Sequence, residues 1–146
     1  GCGAGRTAVA LAEMGLDVVG IDISASMVQA AREQARLAGV SVSFQVMDAM
    51  VLDFPDVSFD VAFFSQSLHH LADPFSGFLE ALRILRPGRT VAVMELANHD
   101  QEWVLEKLNH KWLGFEQDRL LSIIQEAGFS DLKEEFSPTD AENCSR

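Results

Sequence analysis

Apolar residues fall along this chain in two alternating patterns: short runs the length of a strand, and longer stretches with helical spacing, each bounded by turn residues. Ala4 to Met14 reads as a helix closed by Gly15, which suits a left-handed residue just past a helix end. Asp17 to Asp22 is a short buried strand. Ser26 to Ala38 is a helix ended by Gly39, and Ser41 to Val46 alternates as a strand nearer a sheet edge. Asp60 to Phe64 is the next strand. Asp73-Pro74 then supplies an N-cap with proline at the first helical position, opening a helix to about Leu85. Arg86-Pro87-Gly88 is a turn before the most apolar strand, Thr90 to Leu96. Helical stretches follow from Gln101 to Trp112 and from Gln117 to Ala127, the second stopped by Gly128. Asp131 to Phe136 is the last strand candidate, and Ser137 to Arg146 is a polar tail.

Strands alternating with helices predict an α/β fold: a Rossmann-like, doubly wound, mostly parallel sheet with helices on both faces. In such sheets ligands bind at the carboxyl ends of strands. The chemically suggestive residues all lie just after a strand, or in the turn that would follow one. Gly1-Cys2-Gly3-Ala4-Gly5 opens a helix, the arrangement that lets a backbone fold tightly beneath a nucleoside or phosphate. A dinucleotide fingerprint would place its third glycine where Arg6 stands. Asp22 ends a strand and can accept hydrogen bonds from two ribose hydroxyls; its structural alternative is a helix N-cap. Asp48 in Met47-Asp48-Ala49 can read an adenine amino group, or simply occupy a loop. Ser65-Gln66-Ser67-Leu68-His69-His70 follows the Asp60 strand. Adjacent histidines point in different directions, so by themselves they do not make a metal site. His70 is the candidate general base there, and His99 the candidate in the later segment.

Composition narrows the partners. The chain has 146 residues, 48% of them hydrophobic, which fits one globular domain. Twenty-two acids against eleven bases give a net charge of -11, which disfavours nucleic acid and favours a small molecule. No apolar run approaches the roughly 18 residues of a membrane span. Cys2 and Cys144 lack metal spacing and read as free thiols of a cytoplasmic protein, with no metal expected.

Taken in order, Gly1-Cys2-Gly3-Ala4-Gly5, Gly20-Ile21-Asp22-Ile23-Ser24, Met47-Asp48-Ala49, Phe59-Asp60-Val61, Ser67-Leu68-His69-His70-Leu71 and Leu85-Arg86-Pro87-Gly88 resemble the class I S-adenosylmethionine-dependent methyltransferases, in the branch of the ubiquinone/menaquinone-biosynthesis enzymes. The resemblance covers residues 1 to 136. It implies methyl transfer from S-adenosylmethionine to an unidentified small-molecule acceptor. It puts Gly1, Gly3 and Gly5 beneath the methionine part of the cofactor, Asp22 on the ribose, Ile23 and Met27 by the adenine, and Asp48 with Ala49 at the adenine edge. Ser65 would begin the loop facing the sulfonium. The segment from Asn98 to Trp103 and on through Trp112 to Phe115 is similar to methyltransferase domains fused behind ArsR-type winged-helix regulators. Residues 98 to 116 read as a substrate-side cap in which Trp103, His110, Trp112 and Phe115 cover the acceptor; the alternative for this segment, and for Trp103 in particular, is helix packing against the sheet. The alternative function that the similarity carries is a non-catalytic, cofactor-binding regulatory module. Arsenite methylation, a tempting subclass, needs more thiolates than two cysteines supply.

Two family strands have no counterpart in the sequence: a central one before the glycines and a closing antiparallel one after Phe136. Between the Asp17 and Asp60 strands this leaves two facing ladders unpaired. Buried unpaired amides cost about 1–3 kcal/mol each, against a usual total stability of about 5–15 kcal/mol, so the chain alone is expected to be marginally stable.

Overall fold

In the computed structural model, which describes residues 1–134, the order of elements is α1 (Arg6–Glu13), β1 (Val19–Asp22), α2 (Ala25–Ala38), β2 (Ser43–Val46), β3 (Phe59–Ser65), a 3-10 turn (Leu68–His70), α3 (Pro74–Ile84), β4 (Leu85–Met94), α4 (Trp103–Lys107) and α5 (Gln117–Glu126). The strands form two parallel pairs, β1 with β2 and β3 with β4. No ladder joins the pairs among the described residues, which matches the expected gap between the Asp17 and Asp60 strands.

Each pair has its own core. Ala8 and Val9 of α1 meet Val28, Ala31 and Ala35 of α2 over Phe44 of β2. Arg32 adds a polar tie, donating from Nη2 to the Phe44 carbonyl at 2.7 Å. On the other pair, Phe64 packs with Leu68, Phe78, Ala81, Phe115, Ile124 and Ala127, so α3, α5 and the chain after α4 share one apolar centre. The tilted Phe64–Phe78 contact, 5.1 Å between ring centroids, lies at its middle.

Most predicted boundaries come from local chemistry. Asp73 caps α3, accepting from the Phe75 amide at 3.1 Å and the Ser76 hydroxyl at 2.6 Å, with Pro74 inside the first turn. Gly15, Gly39 and Gly128 each take positive φ just past a helix. The N-cap of α2 is Ser24, whose hydroxyl accepts from the Met27 amide, and not Asp22.

Three expectations need correction. The turn Arg86-Pro87-Gly88 lies within β4 as an irregularity: Phe59 pairs with Leu85, and Val61 next pairs with Thr90. The helix expected from Gln101 to Trp112 is only Trp103–Lys107, because Asn109 takes positive φ just past its end. Residues 131–134 are not a strand; Glu135, Phe136, the tail from Ser137 and Cys144 lie outside the described residues.

Candidate functional site

The chemistry-bearing residues collect at the carboxyl ends of β1, β2 and β3. The glycine turn lies across the end of β1: the Gly1 nitrogen and the Cys2 amide both donate to the Ile21 carbonyl, at 2.9 and 2.7 Å. Gly3 has φ +54, and nothing lies within 4 Å of where a Cβ would project, so this side of the turn faces open space. Gly5, at φ +83, is tight on its far side: a Cβ there would stand 2.8 Å from the Ala31 Cβ. Gly5 therefore lets α1 cross α2, while Gly3 leaves room above the turn.

Asp22 is buried and holds the turn in shape. One carboxylate oxygen accepts from the Gly3 amide at 2.8 Å, the other from the Ser24 amide at 2.9 Å. Each oxygen keeps a further lone pair. Directly after it, Ile23 is 72% exposed, and Met27 is 45% exposed one turn into α2. Two large apolar side chains left open beside a carboxylate and a glycine turn make a surface suited to an aromatic base and a ribose. Asp48 accepts from the Met50 amide at 2.8 Å and turns the chain after β2, with Ala49 in that turn. Ser65, at the end of β3, lies 3.3 Å, hydroxyl to hydroxyl, from Thr7 of α1, so the last residue of β3 contacts the helix behind the glycines.

Past Ser65 the chain makes its 3-10 turn. A Cβ on Gly1 would meet the Ser67 Cβ at 2.6 Å, so this turn sits directly against the glycine loop. His69 is buried, His70 exposed. Glu95, just past β4, fastens the turn: its carboxylate accepts from the Leu68 amide at 2.7 Å, from the Leu96 amide at 2.8 Å, and from His69 Nδ1 at 2.5 Å. Burial pushes the Glu95 carboxyl up, but these hydrogen bonds outweigh it and hold it below the usual range. His70 has its pKa lowered, first by the partial desolvation of its otherwise exposed ring and then by the neighbouring His69; the charge of Asp22 acts in the opposite sense. Burial also pushes the Cys2 thiol up.

His110 arrives from the loop after α4 and stacks into the same place. Its ring centroid is 4.2 Å from that of His69 and 4.7 Å from that of His70. The backbone fixes this approach, with the Lys111 amide donating to the His69 carbonyl at 2.7 Å. Neither the role of Glu95 nor the nearness of His110 follows from the motifs of the sequence. A carboxylate inside the most apolar strand run was the available signal for the first; nothing local marks the second.

The proposed cap divides in two. Trp103 is exposed, its indole donating to the Gln101 side chain at 3.0 Å. Trp112 and Phe115 turn inward instead: Trp112 donates to the Leu71 carbonyl at 2.8 Å, and both pack on the β3–β4 core. His99 accepts from the Gln101 amide and shapes the loop before α4.

The methyltransferase domain family matches residues 1–93. This chain belongs to that family. Among its curated relatives, the 27-O-demethylrifamycin SV methyltransferase of Amycolatopsis mediterranei is 42% identical over 96 residues, 64% of this chain and 35% of that protein. The ubiquinone biosynthesis O-methyltransferase of Methylococcus capsulatus is 32% identical over 114 residues, 77% of this chain and 48% of that protein. The chain thus spans half or less of the length of these relatives. Of solved structures, the phosphoethanolamine N-methyltransferase 2 of Haemonchus contortus, in complex with S-adenosyl-L-methionine, superimposes with a TM-score of 0.81 at 25% identity, over 97% of this chain and 35% of that one. The cyclase SpnF superimposes with a TM-score of 0.76 at 32% identity, over 88% of this chain and 48% of that one. The fold is accordingly the Rossmann-like α/β fold of class I methyltransferases. Among the described residues no helix is long and apolar enough to cross a membrane.

Proposed function

We propose that this methyltransferase-family chain carries the cofactor site of an S-adenosylmethionine-dependent enzyme that methylates an oxygen of a small-molecule acceptor. The observation that carries the reading is the pairing of exposed Ile23 and Met27 with buried Asp22 and the open side of Gly3, all on one rim. Ile23 and Met27 cover the adenine, Asp48 and Ala49 border its edge, and Asp22 offers its remaining lone pairs to the ribose. Gly1, Gly3 and Gly5 run beneath the methionine part, and Ser65 begins the loop on its reactive side.

When bound, the cofactor supplies a methyl group on a positively charged sulfur. The chain's own work is to hold the acceptor in line about 3 Å away, and such positioning is worth about 7–11 kcal/mol. A hydroxyl acceptor must also lose its proton. His70 is exposed on the turn that sits against the glycine loop, and its lowered pKa keeps a neutral ring ready to accept that proton near pH 7. The oxygen acceptor is favoured by the O-methyltransferase names of the relatives. A fold shared with a cyclase does not by itself decide chemistry, so the cofactor residues carry the weight here.

Calorimetric titration of S-adenosylhomocysteine into the chain, with circular dichroism on the same sample, tests the reading. Micromolar binding is expected. A folded chain that binds none of it at millimolar concentration overturns the proposal.

A further inference from the structure

The three histidines do more than line a cleft. The nitrogens that His69, His70 and His110 can offer lie within 4.8 Å of one another, although His110 comes from a different loop. Glu95 receives the Nδ1 side of His69, and the pair is almost sealed, with side-chain exposures of 5% and 2%. The carboxylate only accepts, so Nδ1 is the donor and Nε2 keeps its lone pair free, on a ring whose centroid lies 4.3 and 4.2 Å from those of His70 and His110. A carboxylate that orients a histidine through its far nitrogen is the usual outer partner of a metal-bound imidazole. His110 Nδ1 is buried and has no hydrogen-bond partner among the described residues, an arrangement that calls for a ligand.

We propose that His69, His70 and His110 form a binding site for one divalent transition-metal cation of the zinc type, with Glu95 as the outer partner that orients His69. Imidazole donors suit this class of ion, and three of them leave one tetrahedral position open. At metal–nitrogen distances of about 2.0–2.1 Å, tetrahedral donors stand about 3.3 Å apart. The present separation of up to 4.8 Å therefore has to close by about 1.5 Å for the three rings to share one ion. Asp22 and Glu95 add negative charge nearby, which favours a cation. The site goes beyond methyl transfer and stands without it. It also restricts it, because a bound cation occupies the His70 nitrogen that would otherwise take a proton.

The test uses the whole chain, stripped with chelator, and zinc or cobalt(II) salts alone. One equivalent of cobalt is expected to bind and give the intense visible absorption of a four-coordinate ion, displaced by zinc. His110→Ala weakens zinc binding at least 100-fold, and Glu95→Gln weakens it about 10- to 100-fold. Circular dichroism reports whether each variant folds; His70→Ala, a change at an exposed ring, gives the same loss should His110→Ala not fold. Absence of binding by the folded chain overturns the site. So does binding whose affinity is unchanged in His70→Ala or His110→Ala, which would locate the ion elsewhere. The titration contains no cofactor, so its failure leaves the S-adenosylmethionine reading standing, and a failed cofactor titration leaves this one.

Discussion

His69 Nδ1 lies 2.5 Å from the Glu95 carboxylate, and the two side chains are nearly closed to solvent at the junction of β3 and β4. The same carboxylate takes the Leu68 and Leu96 amides, so a single side chain satisfies three partly buried donors. Deleting it leaves all three unpaired. Glu95→Ala is expected to cost about 1–3 kcal/mol of unfolding free energy or more, the usual penalty for leaving a buried donor unsatisfied. Glu95→Gln keeps one acceptor and costs less than half of that. Urea unfolding with unchanged slope reads both, and a Glu95→Ala loss below 1 kcal/mol would show that water replaces the carboxylate.

Two glycines two positions apart in the turn carry different loads. Gly5 combines positive φ with backbone crossing at Ala31, and Gly3 combines positive φ with open space. Gly3→Ala therefore costs only the left-handed strain, about 1–2 kcal/mol. Gly5→Ala adds overpacking of about 1–3 kcal/mol. For S-adenosylhomocysteine affinity the order reverses, because the alanine methyl at position 3 projects into the proposed cofactor space. Measuring stability and affinity on both variants checks the crossed pattern; if both variants lose the two properties in parallel, the division of roles is wrong.

The difference between these residues explains how much the sequence disclosed. Asp73-Pro74, Gly15, Gly39 and Gly128 act through their own backbone sterics and caps, so element boundaries near them are readable one residue at a time. The glycine turn with Asp22 is readable because its bonds to Gly3 and Ser24 lie within one strand–helix unit. His110 is different. Its place beside His69 depends on the Ala97–Phe115 bridge and on the early end of α4, neither of which has a local sequence signal. Trp112 and Phe115 suggest a cap by sequence for the same reason: helical spacing gives a face, but not which neighbour covers it.

Cys2 provides a probe of the turn. It is half-buried, and a Cβ on Gly20 would stand 3.3 Å from its sulfur, so the thiol is lodged against β1. Burial raises its pKa, so at pH 7 to 8.5 the thiolate fraction is below that of an ordinary cysteine, whose pKa is about 8.5. Alkylation of Cys2 by iodoacetamide, followed by peptide mass spectrometry, is expected to lag a free thiol at pH 7 and to rise still further with pH above 9. Urea should abolish the lag. Labelling at the rate of a free thiol in the folded chain would show that the turn opens readily.

Ile23 separates affinity from stability. The side chain is 72% exposed, so Ile23→Ser removes almost no buried contact and should shift unfolding by less than about 0.5 kcal/mol. If the adenine packs on it, that substitution removes a contact made only when the cofactor is bound. Covering an isoleucine is worth about 1.5–3 kcal/mol in full. A ligand covering part of it stands to lose about 1–1.5 kcal/mol, close to a tenfold rise in Kd. Met27→Ser, on the first turn of α2, should act in the same direction and more weakly, since Met27 is less exposed and already half-supported by the helix. Calorimetry on the two variants measures this directly. Unchanged affinity in Ile23→Ser, with the wild-type chain binding normally, would move the adenine off this rim and leave Asp48 and Ala49 as its remaining neighbours.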